Sequence, residues 1–350
     1  MKKKIAFILV SIIVAAVVFT GCGIFTPSAP QRFSTVWYDL FDTGISVTAF
    51  CSDQKEFDAL SAEIYGELEY YHRLFDIYSG YEGMNNAFTV NERAGDGSLV
   101  ETDAALIELA ELAVQMHELT DGRVNVAMGP VLSLWHQARE ASLADPQKAY
   151  VPSEEDLKDA AQHCGIEGLF IDKEKSALRL EEGMSLDLGA VAKGFAVEKT
   201  AQKLEAEGRS MVLISAGGNV RAVGTKPEGE KWSVAIQDPG LSSEKSYADL
   251  IYAQDLSVVT SGVYQRFFEY DGRSYHHIID PDTLMPEDRY LSVTIAAKDS
   301  GIADALSTAV FNMEPDEGLA FIESLQDTEA FWILPDGSAA ESSGWDALRK

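Results

Sequence analysis

Three cysteines in 350 residues leave no material for a disulfide scaffold or a cysteine-built zinc cluster. Positive charge is also scarce: 28 Lys and Arg stand against 56 Asp and Glu, a formal net charge of −28. So acidic a surface repels nucleic acid and anionic lipid headgroups. A phosphate-bearing ligand would need local cations or a metal to bind here. The sequence holds no G-x-S-x-G elbow, no Walker loop and no H-E-x-x-H, and no G-x-G-x-x-G opens a helix after its first strand. Serine hydrolases of that type, NTPases, zincins and Rossmann dinucleotide domains are thereby disfavoured. Internal repeats and low-complexity blocks are missing too. Only one long apolar run exists, from Ile5 to Phe19, interrupted by Ser11.

That run follows Lys2, Lys3 and Lys4 and precedes Thr20-Gly21-Cys22. A positive start, an apolar stretch too short to span a bilayer and small residues before a cysteine form an export signal. We expect a lipoprotein signal peptide at residues 1–21, with the lipid carried by Cys22. The expected location is the outer face of the bacterial cytoplasmic membrane. Residues 22–36, with Pro27 and Pro30, read as a flexible tether. Residues 37–350 read as the globular part, long enough for one large domain or a large and a small one. Cys51 and Cys164, far apart in sequence, read as small apolar residues.

Phe57, Leu60, Ile64, Leu68, Tyr71 and Phe75 recur at helical steps after a capping pair, Asp53 and Glu56. Further helices are expected over 102–119, from Ser153 toward Gly165, and over 190–208, 303–313 and 315–325, while 79–94 reads as loop. Strands are expected around Asp42-Thr43-Gly44, at 169–172 and 177–181, at Ser185–Leu188, and repeatedly from Met211 to Leu334. Helices early and strands late predict an α+β fold with antiparallel sheet.

Five segments could carry chemistry. Asp187 to Gly194 joins a strand end to a helix start, where free N–H groups attract anions, and Lys193 adds a cation. It reads equally as a capped turn with a surface lysine. Asp304 and Thr308 share one helix face and offer oxygens to a hard cation such as Mg²⁺; a helix-bonded threonine is the alternative. His276 and His277 point to opposite faces if strand continues through them, which disfavours a joint zinc site. Gly217-Gly218-Asn219 and Thr260-Ser261-Gly262 are small-residue turns that would let a ligand approach backbone, or simply turn tightly.

In order, Phe41-Asp42-Thr43-Gly44, Phe75-Asp76-Ile77-Tyr78, Gly122-Arg123-Val124-Asn125, Met128-Gly129-Pro130-Val131 with Leu134-Trp135, Asp187 to Gly194, Gly217-Gly218-Asn219, Trp232 to Pro239, Thr260-Ser261-Gly262, His277 to Pro281 and Asp304 to Thr308 resemble the ApbE family of FAD:protein FMN transferases. The resemblance runs from Val36 to Leu334. It implies a T-fold-like core of antiparallel sheets with helices and a smaller α/β part. It implies FAD as substrate, Mg²⁺ as cofactor, and FMN delivered through a phosphoester to a Thr or Ser of an exported or membrane-bound partner protein, with AMP released. It implies a metal held by Asp304, Thr308 and the backbone oxygens of Ala190 and Ser307. FAD would then lie against Phe41, Tyr78, Asn125, Asp187, Lys193 and the backbone of Ile278 and Ile279. For the catalytic base the candidates are His277 and Asp280, and His277 is favoured because imidazole titrates near working pH. Phe41, Asn125, Ala127, Val263 and Pro286 depart from the residues common in the family. An FAD pyrophosphatase giving FMN and AMP, and a flavin-binding lipoprotein without turnover, are the rival readings.

The N-terminal pattern makes one prediction. Cys22→Ser should leave the protein unprocessed or free of the membrane, and cell fractionation checks this. Normal processing with full membrane retention would contradict lipidation at Cys22.

Overall fold

A computed structural model describes residues 29–240 and 247–350. The signal segment, Cys22 and the first part of the tether lie outside the described residues. Among the described residues, no helix is long and apolar enough to cross a membrane.

The chain begins with a hairpin, β1 (Gln31–Leu40) and β2 (Thr43–Cys51), turning through Phe41 and Asp42 at φ 53° and 50°. The order then runs α1 (Gln54–Phe75), α2 (Ala87–Glu92), β3 (Val100–Glu101), α3 (Ala104–Leu119), α4 (Gly129–Ala144), α5 (Glu154–Ala161), β4 (Leu169–Asp172) and β5 (Ala177–Leu180). After α6 (Ala192–Ala206) come β6 (Val212–Ala216), β7 (Asn219–Val223), β8 (Trp232–Gln237), β9 (Tyr247–Ala253), β10 (Leu256–Gly262), β11 (Phe267–Tyr270) and β12 (Arg273–His276). The chain closes with β13 (Ser292–Ala297), α7 (Ser300–Phe311), α8 (Pro315–Ser324), β14 (Glu329–Ile333) and β15 (Ala339–Glu341).

Eight strands form one antiparallel sheet in the order β1-β2-β6-β7-β10-β13-β14-β15, so the expected α+β class holds. Its central strands are buried on both faces, which is why they read as apolar runs. In β10 Val259 joins the large core under the helices, while Val258 joins a second core formed with the β8–β9 hairpin around Trp232, Ile251 and Trp345. Neighbouring β13 splits Ile295 and Ala296 the same way. A smaller sheet, β3-β5-β4, lies beside α2 and α3.

Two helices on the sheet bind each other through carboxylates. Glu198 of α6 accepts the N–H of Ser300, the first residue of α7, at 2.9 Å. Asp304 of α7 accepts the N–H of Gly194, in the first turn of α6, at 2.8 Å. The contacts step by one turn along each helix in opposite directions, so the helices run antiparallel. Each carboxylate satisfies an N–H that a helix start leaves unbonded. The approach demands glycine at 194: a Cβ there would sit 2.3 Å from the Ser300 carbonyl oxygen. Glu198 also pairs with Arg221 of β7, Nε to Oε2 3.1 Å, with the guanidinium only 1 % exposed. Sheet and helix pair are thus tied together.

Several expectations need correction. β1 starts at Gln31, inside the span read as tether, because residues 31–37 pair in register with β2 and Phe33 stacks on Phe57. Residues 79–94 include a helical turn, α2, opened by an Asn86 capping box that a polar stretch concealed. The 16-residue α4 was unanticipated; Val131, Trp135 and Ala138 form its buried stripe behind Pro130. Ser185–Leu188 forms no strand. Its backbone bonds instead to a side chain, Asn91, which accepts from the Leu186 N–H at 2.7 Å and donates to its carbonyl at 3.0 Å.

Truncating Glu198 to Ala would leave Arg221 buried with only the half-exposed Glu205 as counter-charge. Urea unfolding should show a loss of about 3 kcal/mol or more, the usual cost of orphaning a buried charge. A loss below about 1 kcal/mol would show that the buried pair does not hold the helix to the sheet.

Candidate functional site

The β1–β2 turn, the N-terminal end of α6, one face of α7 and the segment after β12 surround one cavity of about 300 Å³. Small-molecule sites are typically of this order or larger. Gathering these elements brings together residues far apart in sequence. Phe41, Tyr78, Asn125 and Asp187 all line it. Lys193, Asp304 and Thr308 lie together on the helix-pair side, with Ala190 beside them. His277, Ile278 and Ile279 contribute the segment after β12.

Asp304 is the most constrained of these groups. Its side chain is 6 % exposed and anchored by the Gly194 N–H, with the Lys193 ammonium 3.4 Å from Oδ2 and 3.5 Å from Oδ1. Burial raises its carboxyl pKa against the opposing pull of Lys193. Asp187 accepts the Gly189 N–H at 2.9 Å, and its own N–H donates to the Val126 carbonyl at 2.8 Å. It is half-buried and lines the cavity. Burial raises its pKa, with His136, Arg266 and Lys193 pulling the other way.

β12 ends at His276, and both histidines border the cavity, His276 buried and His277 exposed. His276 turns inward: Nε2 meets the Glu287 carbonyl at 2.5 Å, Nδ1 accepts from the Ile278 N–H, and the ring packs edge-on against Phe311. Burial pushes its pKa down to about 4. His277 keeps an exposed face, yet it stands inside the cleft among protein atoms and two cations. Crowding first, then the charges of Arg266, His276 and Lys193, push its imidazole below the ordinary value of 6.5.

Two of the expected site residues, Asp280 and Ser307, the latter expected to act through its backbone oxygen, fall outside the cavity lining. Asp280 is 2 % exposed, and its Oδ1 accepts the N–H groups of Asp282 and Thr283 at 2.7 and 2.9 Å. Its Oδ2 lies 3.9 Å from Arg123 and 3.8 Å from Arg289. Such a carboxylate holds a turn and is poorly placed as a base, so the structure removes it from the candidates. The Ser307 hydroxyl bonds to the Asp304 carbonyl at 2.8 Å and to the Ser261 hydroxyl at 2.7 Å, packing α7 on β10. Asn125 lines the cavity, but both ends of its amide are committed, to the Cys164 carbonyl and the Ala127 N–H. It shapes the wall more than it offers free polar groups.

Sequence reasoning missed His136, Arg139 and Arg266. His136 stacks on Tyr78 with ring centroids 5.3 Å apart. Arg266 donates to the carbonyls of Phe41 and Asp42, both at 3.2 Å, and so holds the first hairpin turn against the cavity. No motif marks these residues. The available signal was rarity, because few cations exist in so acidic a chain.

The donor set suits a hard cation shared with a ligand. Among the described residues, no three His, Cys, Asp or Glu side chains converge on a metal position. Asp304, Thr308 and nearby carbonyls supply oxygens but only one carboxylate, which fits Mg²⁺ when phosphate oxygens complete the shell.

A family model described as the ApbE family matches residues 41–332. The FAD:protein FMN transferase of Treponema pallidum is 33% identical over 303 residues, covering 81% of each chain. That of Haemophilus influenzae is 30% identical over 249 residues, 70% of each. Among solved structures, the ApbE protein of Thermotoga maritima superposes with a TM-score of 0.79 at 27% identity, covering 91% of this chain and 100% of its own. The apo flavinyl transferase ApbE of Pseudomonas stutzeri gives 0.75 at 27% identity, covering 92% and 98%.

The pKa directions make a titration prediction. With its folded value lowered, His277 stays neutral as the pH falls through 6.5 and protonates only below it. Ring-proton NMR of the FAD-free protein should place its midpoint below 6.5. Because the folded state resists protonation, this ring should also subtract stability as the pH drops below the ordinary imidazole value. A midpoint at or above the ordinary value would contradict the crowded, cation-flanked setting.

Proposed function

The chain belongs to the ApbE family, and from that footing we propose that it transfers FMN from FAD to a Thr or Ser hydroxyl of a partner protein, releasing AMP. The observation that carries the reading is the meeting of Lys193, Asp304 and His277 in one cavity of a protein with a net charge of −28. Arg123, Arg139, Lys193 and Arg266 offset the four carboxylates of the lining, Asp42, Asp76, Asp187 and Asp304, so the cavity escapes the acidity of a surface that would otherwise repel a pyrophosphate.

In the reaction the acceptor oxygen bonds to the FMN-side phosphorus. The bond from that phosphorus to the bridging oxygen breaks, and AMP departs with the electron pair. Phosphoryl transfer asks the protein mainly for positioning and charge neutralisation. Lys193 and Arg266 offer positive charge to the pyrophosphate. Tyr78 and Phe41 offer aromatic faces to a planar ring. His277 takes the hydroxyl proton as the new bond forms; its place in the cavity, and not a titration near working pH, is what favours it, because its pKa is pushed well below the ordinary imidazole value. Asp304 and Thr308 would hold Mg²⁺, which when bound would neutralise phosphate charge as the leaving group departs. The export signal expected at residues 1–21 favours a partner that is itself exported or membrane-bound.

The test is incubation with FAD, Mg²⁺ and an acceptor protein bearing an exposed Thr, followed by intact-mass and nucleotide analysis. Acceptor mass should rise by one FMN unit with an equal amount of AMP. Free FMN and AMP without acceptor labelling would replace the transferase with a pyrophosphatase. FAD bound but unchanged would leave a flavin carrier. His277→Ala should slow transfer roughly 10² to 10⁴-fold, as loss of a general base does, with FAD affinity little changed. An equal fall in affinity and turnover would make His277 a flavin contact.

A further inference from the structure

Lys193 and the metal expected at Asp304 compete for one carboxylate. The Lys193 ammonium lies 3.3 Å from the Gly189 carbonyl oxygen and 3.4 and 3.5 Å from the two oxygens of Asp304. It therefore sits in an oxygen cradle bounded by the same helix start and the same acid that would hold a hard cation. These contacts are long for ammonium–carboxylate bonds, which close to about 2.7–2.9 Å when optimised. The ammonium lies near both oxygens without a short bond to either. Asp304, in contrast, is clamped by the Gly194 N–H at 2.8 Å. The acid is the fixed partner, and the lysine, a charge on a flexible four-carbon stem, is the movable one.

We propose that Lys193 is a stand-in cation: it occupies the Asp304 cradle in the empty protein and swings to the nucleotide's phosphates when metal and nucleotide enter together. This rests on the pyrophosphate-handling function proposed above. A divalent ion beside Asp304 meets the full charge of the ammonium unless the ammonium moves, and a phosphate within reach of the stem gives it a destination. The carboxylate is never left uncompensated, and the single-carboxylate donor set binds metal weakly until phosphate oxygens arrive. Metal and nucleotide binding are thus coupled through one side chain.

The test measures metal binding by the purified, FAD-free protein, using Mn²⁺ read by electron paramagnetic resonance. Lys193→Met keeps the apolar stem and removes the charge. The variant should bind Mn²⁺ at least about tenfold tighter than wild type, because a charge a few ångströms away no longer opposes the ion. ADP should tighten Mn²⁺ binding strongly in wild type and much less in the variant. Asp304→Asn should abolish the site in either background. Equal or weaker Mn²⁺ affinity in Lys193→Met, equal enhancement by ADP, or Mn²⁺ binding that survives Asp304→Asn would each overturn the proposal. Failure of the transferase reading would appear separately, as absent FMN transfer by a wild type that shows the predicted Mn²⁺ behaviour.

Discussion

Asp304 and Lys193 take their places in the cavity from the reciprocal carboxylate clasp between α6 and α7. Asp304 caps the first turn of α6 and Glu198 caps the first residue of α7. A buried carboxylate is costly unless it is paired and hydrogen-bonded, and each of these takes a backbone N–H that would otherwise lack a partner. The exchange fixes the helices in register and allows no side chain at Gly194. Arg221 extends the tie into the sheet, and Ser300 passes it on by donating from its hydroxyl to Asn219 at 2.6 Å. The acid facing the ligand cavity is therefore held by the same contacts that dock the helices.

Charge distribution follows from this arrangement. Most of the surface is acidic, yet Arg123, Arg139, Lys193 and Arg266 all border one cavity. Arg123 is drawn partly toward Asp282, at 2.7 Å, and Arg266 toward two hairpin carbonyls. Lys193 has only loose contacts. Cations committed to protein partners shape the walls, and the loosely held one can follow a ligand. The ring of His277, neutral in this setting, adds a proton acceptor without adding charge.

Much of this was legible in the sequence, for physical reasons that differ by residue. The α1 stripe from Phe57 to Phe75 announces itself through its periodicity and the Asp53 cap before it. Asp304 and Thr308 show as a helix-face pair, and Lys193 as a cation at a helix start. What stayed hidden depends on tertiary contact. Asn91 replaces a strand ladder for Leu186 from 95 residues away, and no local pattern records that. Asp280 resembles a free acid in sequence but is consumed by its own turn and two guanidinium groups. Arg266 and His136 carry no motif and matter only because the fold aims them at the cavity. α4 was missed because its apolar residues spread beyond the buried stripe of Val131, Trp135 and Ala138 to Leu132, Leu134 and the exposed Leu143, which blurs the helical period.

The claim at the centre is that a clamped acid and a movable lysine share one cation cradle at the junction of α6 and α7. A crystal structure with Mn²⁺ and ADP, the ion located by its anomalous signal, tests it most directly. The account predicts the ion between Asp304 and Thr308, the Gly194 N–H still bonded to Asp304, and the Lys193 ammonium moved onto a phosphate oxygen. An ion bound elsewhere, or Lys193 still seated against Asp304 with the nucleotide in place, would contradict it.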